Sequence, residues 1–195
     1  MWRPGSWRTA WLGETSMRLF AVRKQAIYGW PGGAPQGRPL ADVQFERITR
    51  SNLLRVGEAR ADPPTAAFAA AVKSTADIGL FAMKGGRVVG HGWVRKIPGP
   101  RRTRPEHIRV PETSCLIRNC YVSLDCRGQG VYRALLVQLA LAAASEWPER
   151  WILIDTEVSN MASRRGIVGA GFEPVGMVRA LQICGRFIIQ DWNKA

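Results

Sequence analysis

Histidine is almost missing from this chain, which holds only His91 and His107, and the four cysteines, Cys115, Cys120, Cys126 and Cys184, fall at no short paired spacing. A zinc site needs clustered thiol and imidazole ligands, so no metal is expected. The cysteines read instead as small core residues and weakly reactive thiols of a reducing compartment, which points to the cytoplasm. No apolar run reaches the ~20 residues that a membrane-spanning helix requires. The nearest approach, Val131 to Ala144, carries Arg133 and Gln138, and no membrane partner is expected. Met1 to Ser16 is basic and Trp-rich but lacks the apolar stretch and cleavage site of a secretory signal. It reads as an N-terminal extension, or as upstream sequence if Met17 is the start, with residues 17–195 forming one domain. Acidic charge is also scarce, at 15 Asp plus Glu against 28 Lys plus Arg.

What is present is an α+β order. Val43 to Thr49 reads as a first strand by alternation, followed by a helix with Ser51 as N-cap and a second helix over Pro64 to Val72. A hairpin is expected from Gly79 to Lys84 and Arg87 to Lys96 around Gly85-Gly86. The Pro- and Arg-rich loop Ile97 to Pro111 leads to a fourth strand, Cys115 to Ser123, and Trp151 to Val158 reads as a fifth. The last hairpin is placed at Val178 to Cys184 and Arg186 to Trp192.

The most informative stretch is Arg127-Gly128-Gln129-Gly130-Val131-Tyr132, between the fourth strand and a run of strong helix formers, Arg133 to Ala144. A strand that breaks at glycines and opens into a helix leaves the first helical N–H groups unpaired, a ready cradle for phosphate oxygens. The chain has no Gly-Lys-Ser/Thr, which excludes a Walker A loop, and Arg133 stands where a dinucleotide fingerprint needs a third small residue. An ordinary strand-to-helix turn is the competing reading. Downstream, Asn160-Met161-Ala162-Ser163 opens a short helix and Gly171-Phe172 closes it. Asn160 and Ser163 fit plain helix capping as well as a ligand site.

Together the loop and the Asn-to-Gly-Phe block resemble the GNAT superfamily of acetyl-CoA-dependent N-acetyltransferases. Tyr132 departs from the family's small residue at that place. The resemblance implies a central mixed, mostly antiparallel sheet, splayed between the fourth and fifth strands and flanked by helices. It implies acetyl-CoA as co-substrate, with the pyrophosphate on Arg127, Gly128, Gln129, Gly130, Val131 and Tyr132. The pantetheine would then run along Cys120, Tyr121 and Val122, with Asn160 and Ser163 facing the cofactor. Backbone N–H groups of the fourth strand would polarise the thioester carbonyl.

An amine acceptor must lose a proton to attack. Glu157, then Asp155, are the candidate bases, two apart on one strand and so on one face; a pair of solvated carboxylates is the competing reading. Asn119 and His91 are weaker candidates. For the departing thiolate the family often uses a tyrosine, but Ile167 stands there, leaving Ser163 or water as proton donor. Arg101, Arg102, Arg104 and Arg109 crowd the loop before the fourth strand, and Arg102 and Arg104 are candidate contacts to an anionic acceptor, with a merely solvated loop as the alternative.

The activity expected is acetyl transfer to a primary amine of a small, possibly anionic, acceptor by direct attack in a ternary complex. A protein or ribosomal-protein acceptor is a second reading. A non-enzymatic basic module that binds nucleic acid is a third; only Trp2, Trp7 and Trp11 beside Arg3 and Arg8 favour it, and nucleic acid is not the expected partner. Oligomeric state is left open, a homodimer included.

Overall fold

The computed structural model describes residues 20–32, 40–60, 66–97, 113–183 and 186–194. Eight strands form one sheet in the order β2-β3-β4-β5-β6-β1-β7-β8. They are β1 (Phe20–Gly29), β2 (Val43–Arg47), β3 (Asp77–Lys84), β4 (Arg87–Lys96), β5 (Ser114–Val122), β6 (Trp151–Glu157), β7 (Glu173–Ile183) and β8 (Arg186–Lys194). Two short helices, α1 (Val56–Ala59) and α2 (Ala66–Ala71), precede β3; α3 (Val131–Glu146) joins β5 to β6, and α4 (Met161–Gly169) joins β6 to β7. None of the described helices is long and apolar enough to cross a membrane.

The sheet is the mixed, mostly antiparallel one expected. Neighbours pair antiparallel except β5 and β6, whose α3 crossover makes them parallel. The β3–β4 hairpin turns at Gly85 and Gly86, with φ of 56° and 77°, a two-residue turn that only residues tolerant of positive φ can make. Helix α3 buries Leu135, Leu136, Leu139, Ala140 and Ala143 against one face of the sheet. Each fully buried leucine there contributes about 2 kcal/mol. On the other face, α1 and α2 cover β3 and β4 with Val56 and Phe68 packed on Phe81, Val88 and Trp93.

Two corrections concern the first strand and the first helical turn. The sequence reading begins the sheet at Val43, but β1 lies earlier and runs between β6 and β7, antiparallel to both. The strands read as fourth and fifth are therefore β5 and β6. The reason is that Gln25, Ala26, Ile27 and Tyr28 are all buried in a central strand covered on both faces, so alternation is lost. Ser51 is not the N-cap: the helical segment opens with a 3-10 turn, Leu53–Arg55, after Asn52, whose Oδ1 accepts from Thr49 N at 2.7 Å.

The feature that positions the site is the parting of β5 from β6. They pair only from Ser114 with Trp151 to Ile117 with Ile154. Beyond that point β5 stays with β4 as far as Val122, while β6 follows β1 as far as Glu157. The β4–β5 ladder also slips between His91 and Trp93, so Asn119 and Cys120 together face Gly92, and Asn119 takes φ 51°. Such a bulge bends the strand and increases its twist, here at the mouth of the wedge.

Candidate active site

From the end of β5 the chain makes one 3-10 turn, Leu124–Cys126, then the loop 127–130, and enters α3 at Val131. Gly130 is the N-cap residue, with φ 83°, and no side chain caps the helix start. The first helical bond runs from Ala134 N to Gly130 O at 3.0 Å, so the N–H groups of Val131, Tyr132 and Arg133 have no carbonyl one turn ahead of them. The positive end of a 16-residue helix therefore lies one short loop beyond the end of β5.

The loop's own side chains brace it. Arg127 Nε donates to Val122 O at 3.1 Å, and its guanidinium lies 5.7 Å from the centre of the Tyr121 ring. Gln129 Nε2 donates to Asp125 O at 2.9 Å, while its Oε1 accepts from Lys84 Nζ at 2.9 Å. Arg127 and Gln129 thus brace the loop, and the N–H groups of the helix start are its backbone donors for an anion. Two cations that the sequence reading passed over stand beside it: Lys84, paired with Asp42 at 2.9 Å, and Arg133, whose Nη2 is 3.8 Å from where a Cβ on Gly130 would stand. Lys84 carries no motif signal, being merely the last residue before a Gly-Gly turn.

Tyr132 is brought where its sequence position did not announce it. Its hydroxyl lies 3.0 Å from Ser163 Oγ of α4. The ring passes over Gly166, where an added Cβ would stand 2.5 Å from Cδ1 and 2.8 Å from Cε1. Burial first, then the neighbouring Cys120 and Asp155, pushes the phenol far above its usual range, so it stays protonated. Gly166→Ala is expected to cost about 1–3 kcal/mol by overpacking this ring. The cost should shrink in a Tyr132→Ala background when both are measured by denaturant unfolding; equal costs would mean the ring and the glycine are not coupled.

On α4, Asn160 is the N-cap and its Oδ1 accepts from Ser163 N at 3.0 Å, so the capping role read from the sequence is met. Ile167, fully buried, is a core residue. Cys120 packs toward α3, its thiol pushed up to about 12 by burial, and is no nucleophile at neutral pH. Among the described residues, β5 beyond Ile117 pairs with β4 and no longer with β6, and this is where a pantetheine arm could pair.

Asp155 and Glu157 share a face. Ile152 and Ile154 pack with the α3 core, whereas Leu153 packs with Ile27, Leu116 and Val178 on the other side. Alternation puts Asp155 and Glu157 with Leu153, opposite α3. In register they stand across from Ile27 and Gln25 of β1; Asp155 is half-buried and Glu157 exposed. His91 is not a usable cation: burial, aided by Arg60, lowers it to about 4, and it lies between the Phe68 and Tyr121 rings at 5.3 and 5.9 Å. Arg102 and Arg104, with the rest of their loop, lie outside the described residues, as does the extension 1–16.

A model of the acetyltransferase (GNAT) family matches residues 45–172. The chain belongs to the GNAT acetyltransferase family. Several solved structures share its GNAT fold. A GNAT-family acetyltransferase from Colwellia psychrerythraea aligns with a TM-score of 0.60 at 19% identity, over 90% of this chain and 57% of its own. The aminoglycoside acetyltransferase AAC(6')-Iy, solved with a bisubstrate analogue of CoA and acetylneamine, aligns at 0.53 and 16% identity, over 67% of this chain and 90% of its own. AAC(6')-Ih from Acinetobacter baumannii aligns at 0.50 and 15%, again over 67% and 90%. At these identities the likeness is one of fold. This chain spans little more than half the length of the Colwellia protein. No protein of curated function matches it in sequence.

Proposed function

We propose that this GNAT chain moves an acetyl group from acetyl-CoA to a primary amine by direct attack within a ternary complex. The observation that carries the reading is the wedge itself: β5 and β6 part after four paired residues, and the uncapped start of α3 lies at the end of the freed edge. The pyrophosphate sits on backbone N–H groups from Gly128 to Arg133, with Lys84 and Arg133 adding charge. The pantetheine lies along Cys120 to Val122, with Asn160 and Ser163 across the wedge.

Backbone donors near the Asn119 bulge polarise the thioester carbonyl and hold the oxyanion, so no metal is required. The acceptor approaches from the face opposite α3, where Glu157 takes its proton directly or through water and Asp155 assists. The charge excess of 28 cationic over 15 acidic residues favours an acceptor that itself carries a negative group. Arg102 and Arg104 remain the proposed contacts to it, and the cytoplasm the proposed setting.

Calorimetry with acetyl-CoA, followed by a CoA-release screen over pools of amines, amino sugars and peptides, tests this reading. Expected are binding of acetyl-CoA and CoA release with at least one amine pool. A wild-type chain that does not bind acetyl-CoA would sink it and leave the basic binding module standing.

A further inference from the structure

A polar group buried without a hydrogen-bond partner destabilises a fold, so each such group calls for a physical reason. Among the described residues, three buried side chains carry atoms of this kind: His91 at both ring nitrogens, Trp93 at its indole N–H, and Gln25 at its amide oxygen. All three stand on the face opposite α3. Trp93 packs in the cluster under α1 and α2, and His91, two residues before it on β4, touches Phe68 of that cluster. Gln25 lies across the wedge, in register with Glu157 and two residues before Ile27, so it shares the face of both. The unpartnered atoms therefore flank the wedge on the side where Glu157 stands.

His91 and Trp93 are the closer pair, 1% and 2% exposed. Phe68 of α2 bridges them, its ring centre 5.3 Å from that of His91 and 5.7 Å from that of Trp93, and Tyr121 of β5 stacks on the imidazole at 5.9 Å. The Asn119 backbone acts on the imidazole without closing a hydrogen bond of normal geometry. Arg60, just past α1, holds its guanidinium 4.9 Å from the centre of the Tyr121 ring, and its charge reaches His91. The neutral imidazole offers one N–H and the indole another. Two N–H donors in a positive field match an anion with two oxygens and a single charge. A phosphate, with about two charges and three acceptor oxygens, would exceed them.

We propose that His91 and Trp93 form a subsite for a carboxylate of the acceptor, so that the amine acetylated belongs to an amino acid. The proposal rests on the acyl-transfer reading above and narrows its acceptor. One carboxylate oxygen accepts from Trp93 Nε1 and the other from a His91 nitrogen, beside the charge of Arg60. The bound acid thus supplies the partners that the free chain lacks. Its amine end is left to reach the thioester where β5 parts from β6. Phe68 and Tyr121 wall the subsite and keep water from competing for the two donors.

Straight-chain amino acids from glycine to ω-aminohexanoate, each set against the alkylamine of equal length, test the subsite by CoA release. At least one acid should exceed its alkylamine in kcat/KM by about 10-fold or more. Trp93→Phe and His91→Phe keep an aromatic ring and remove the nitrogens. Each should cut that preference by about 10-fold, through KM, at unchanged acetyl-CoA Kd. Thermal unfolding with the same acids reads the subsite without any acyl transfer: the preferred acid should raise the unfolding temperature of the wild type, and raise that of either variant less. An acid that shifts wild type and variants equally, or no advantage of any acid over its alkylamine in a wild type that acetylates amines, overturns the proposal and leaves these nitrogens to an ordered water. Failure of the wild type to bind acetyl-CoA is a different result. It removes the acyl-transfer reading, while an acid that still stabilises the wild type above both variants would keep the carboxylate subsite.

Discussion

Gly130→Val is expected to weaken acetyl-CoA binding by about 10²-fold or more while leaving the chain folded. Gly130 sits at φ 83°, a region that a β-branched residue enters only under strain, about 1–3 kcal/mol. The space around it is not the obstacle, since the nearest atom to an added Cβ, Leu40 Cδ2, is 3.7 Å away. The loop relieves the strain by rotating the peptide units whose N–H groups point at the phosphates. Each charge-assisted hydrogen bond is worth about 1.5–3 kcal/mol, so losing two of them costs about 3–6 kcal/mol, or roughly 10²- to 10⁴-fold in Kd. Calorimetry reads the loss and thermal unfolding checks the fold. A Kd within threefold of wild type, about 0.7 kcal/mol, would show that the anion does not sit on this helix start.

Local chemistry wrote much of this site into the sequence. The loop 127–132 is legible because a turn that needs two positive-φ residues, Gly128 and Gly130, must interrupt a strand-helix junction with glycines. Asn160 is legible because capping demands a short side-chain acceptor at that place, and its bond to Ser163 N is there. Strand β1 was illegible because a strand buried on both faces loses its alternation, and Arg23-Lys24-Gln25 breaks what remains. The place of Tyr132 was illegible for a different reason. Its motif position marks it only as too large, and nothing local says that a glycine thirty-four residues on, Gly166, leaves a gap for the ring. Lys84 likewise reaches Gln129 only because β3 ends beside the loop. Contacts of this kind follow from the order in which strands lie in the sheet.

Glu157→Gln should lower kcat by about 10²-fold or more, with acetyl-CoA affinity nearly unchanged. Both halves of that expectation come from where β6 goes after it leaves β5. The pairing ends at Ile154, so the next residues of β6 flank the wedge on one side only, held by β1 through the register Asp155 with Ile27 and Glu157 with Gln25. Both carboxylates lie on the face away from α3, so a change there does not touch the phosphate cradle at Gly128 to Arg133. Glutamine keeps the size and the hydrogen-bonding oxygen of Glu157 but cannot accept the amine proton. Asp155 is half-buried, whereas Glu157 is open to solvent and to an arriving amine, so a smaller loss is expected from Asp155→Asn. The pH profile separates the two roles. If Glu157 collects the proton, its glutamine variant recovers as pH rises and the amine arrives already neutral, whereas a positioning role leaves the defect constant across about pH 6 to 9. Near-wild-type rates for both variants over that range would remove β6 from the proton path and leave water alone to carry it.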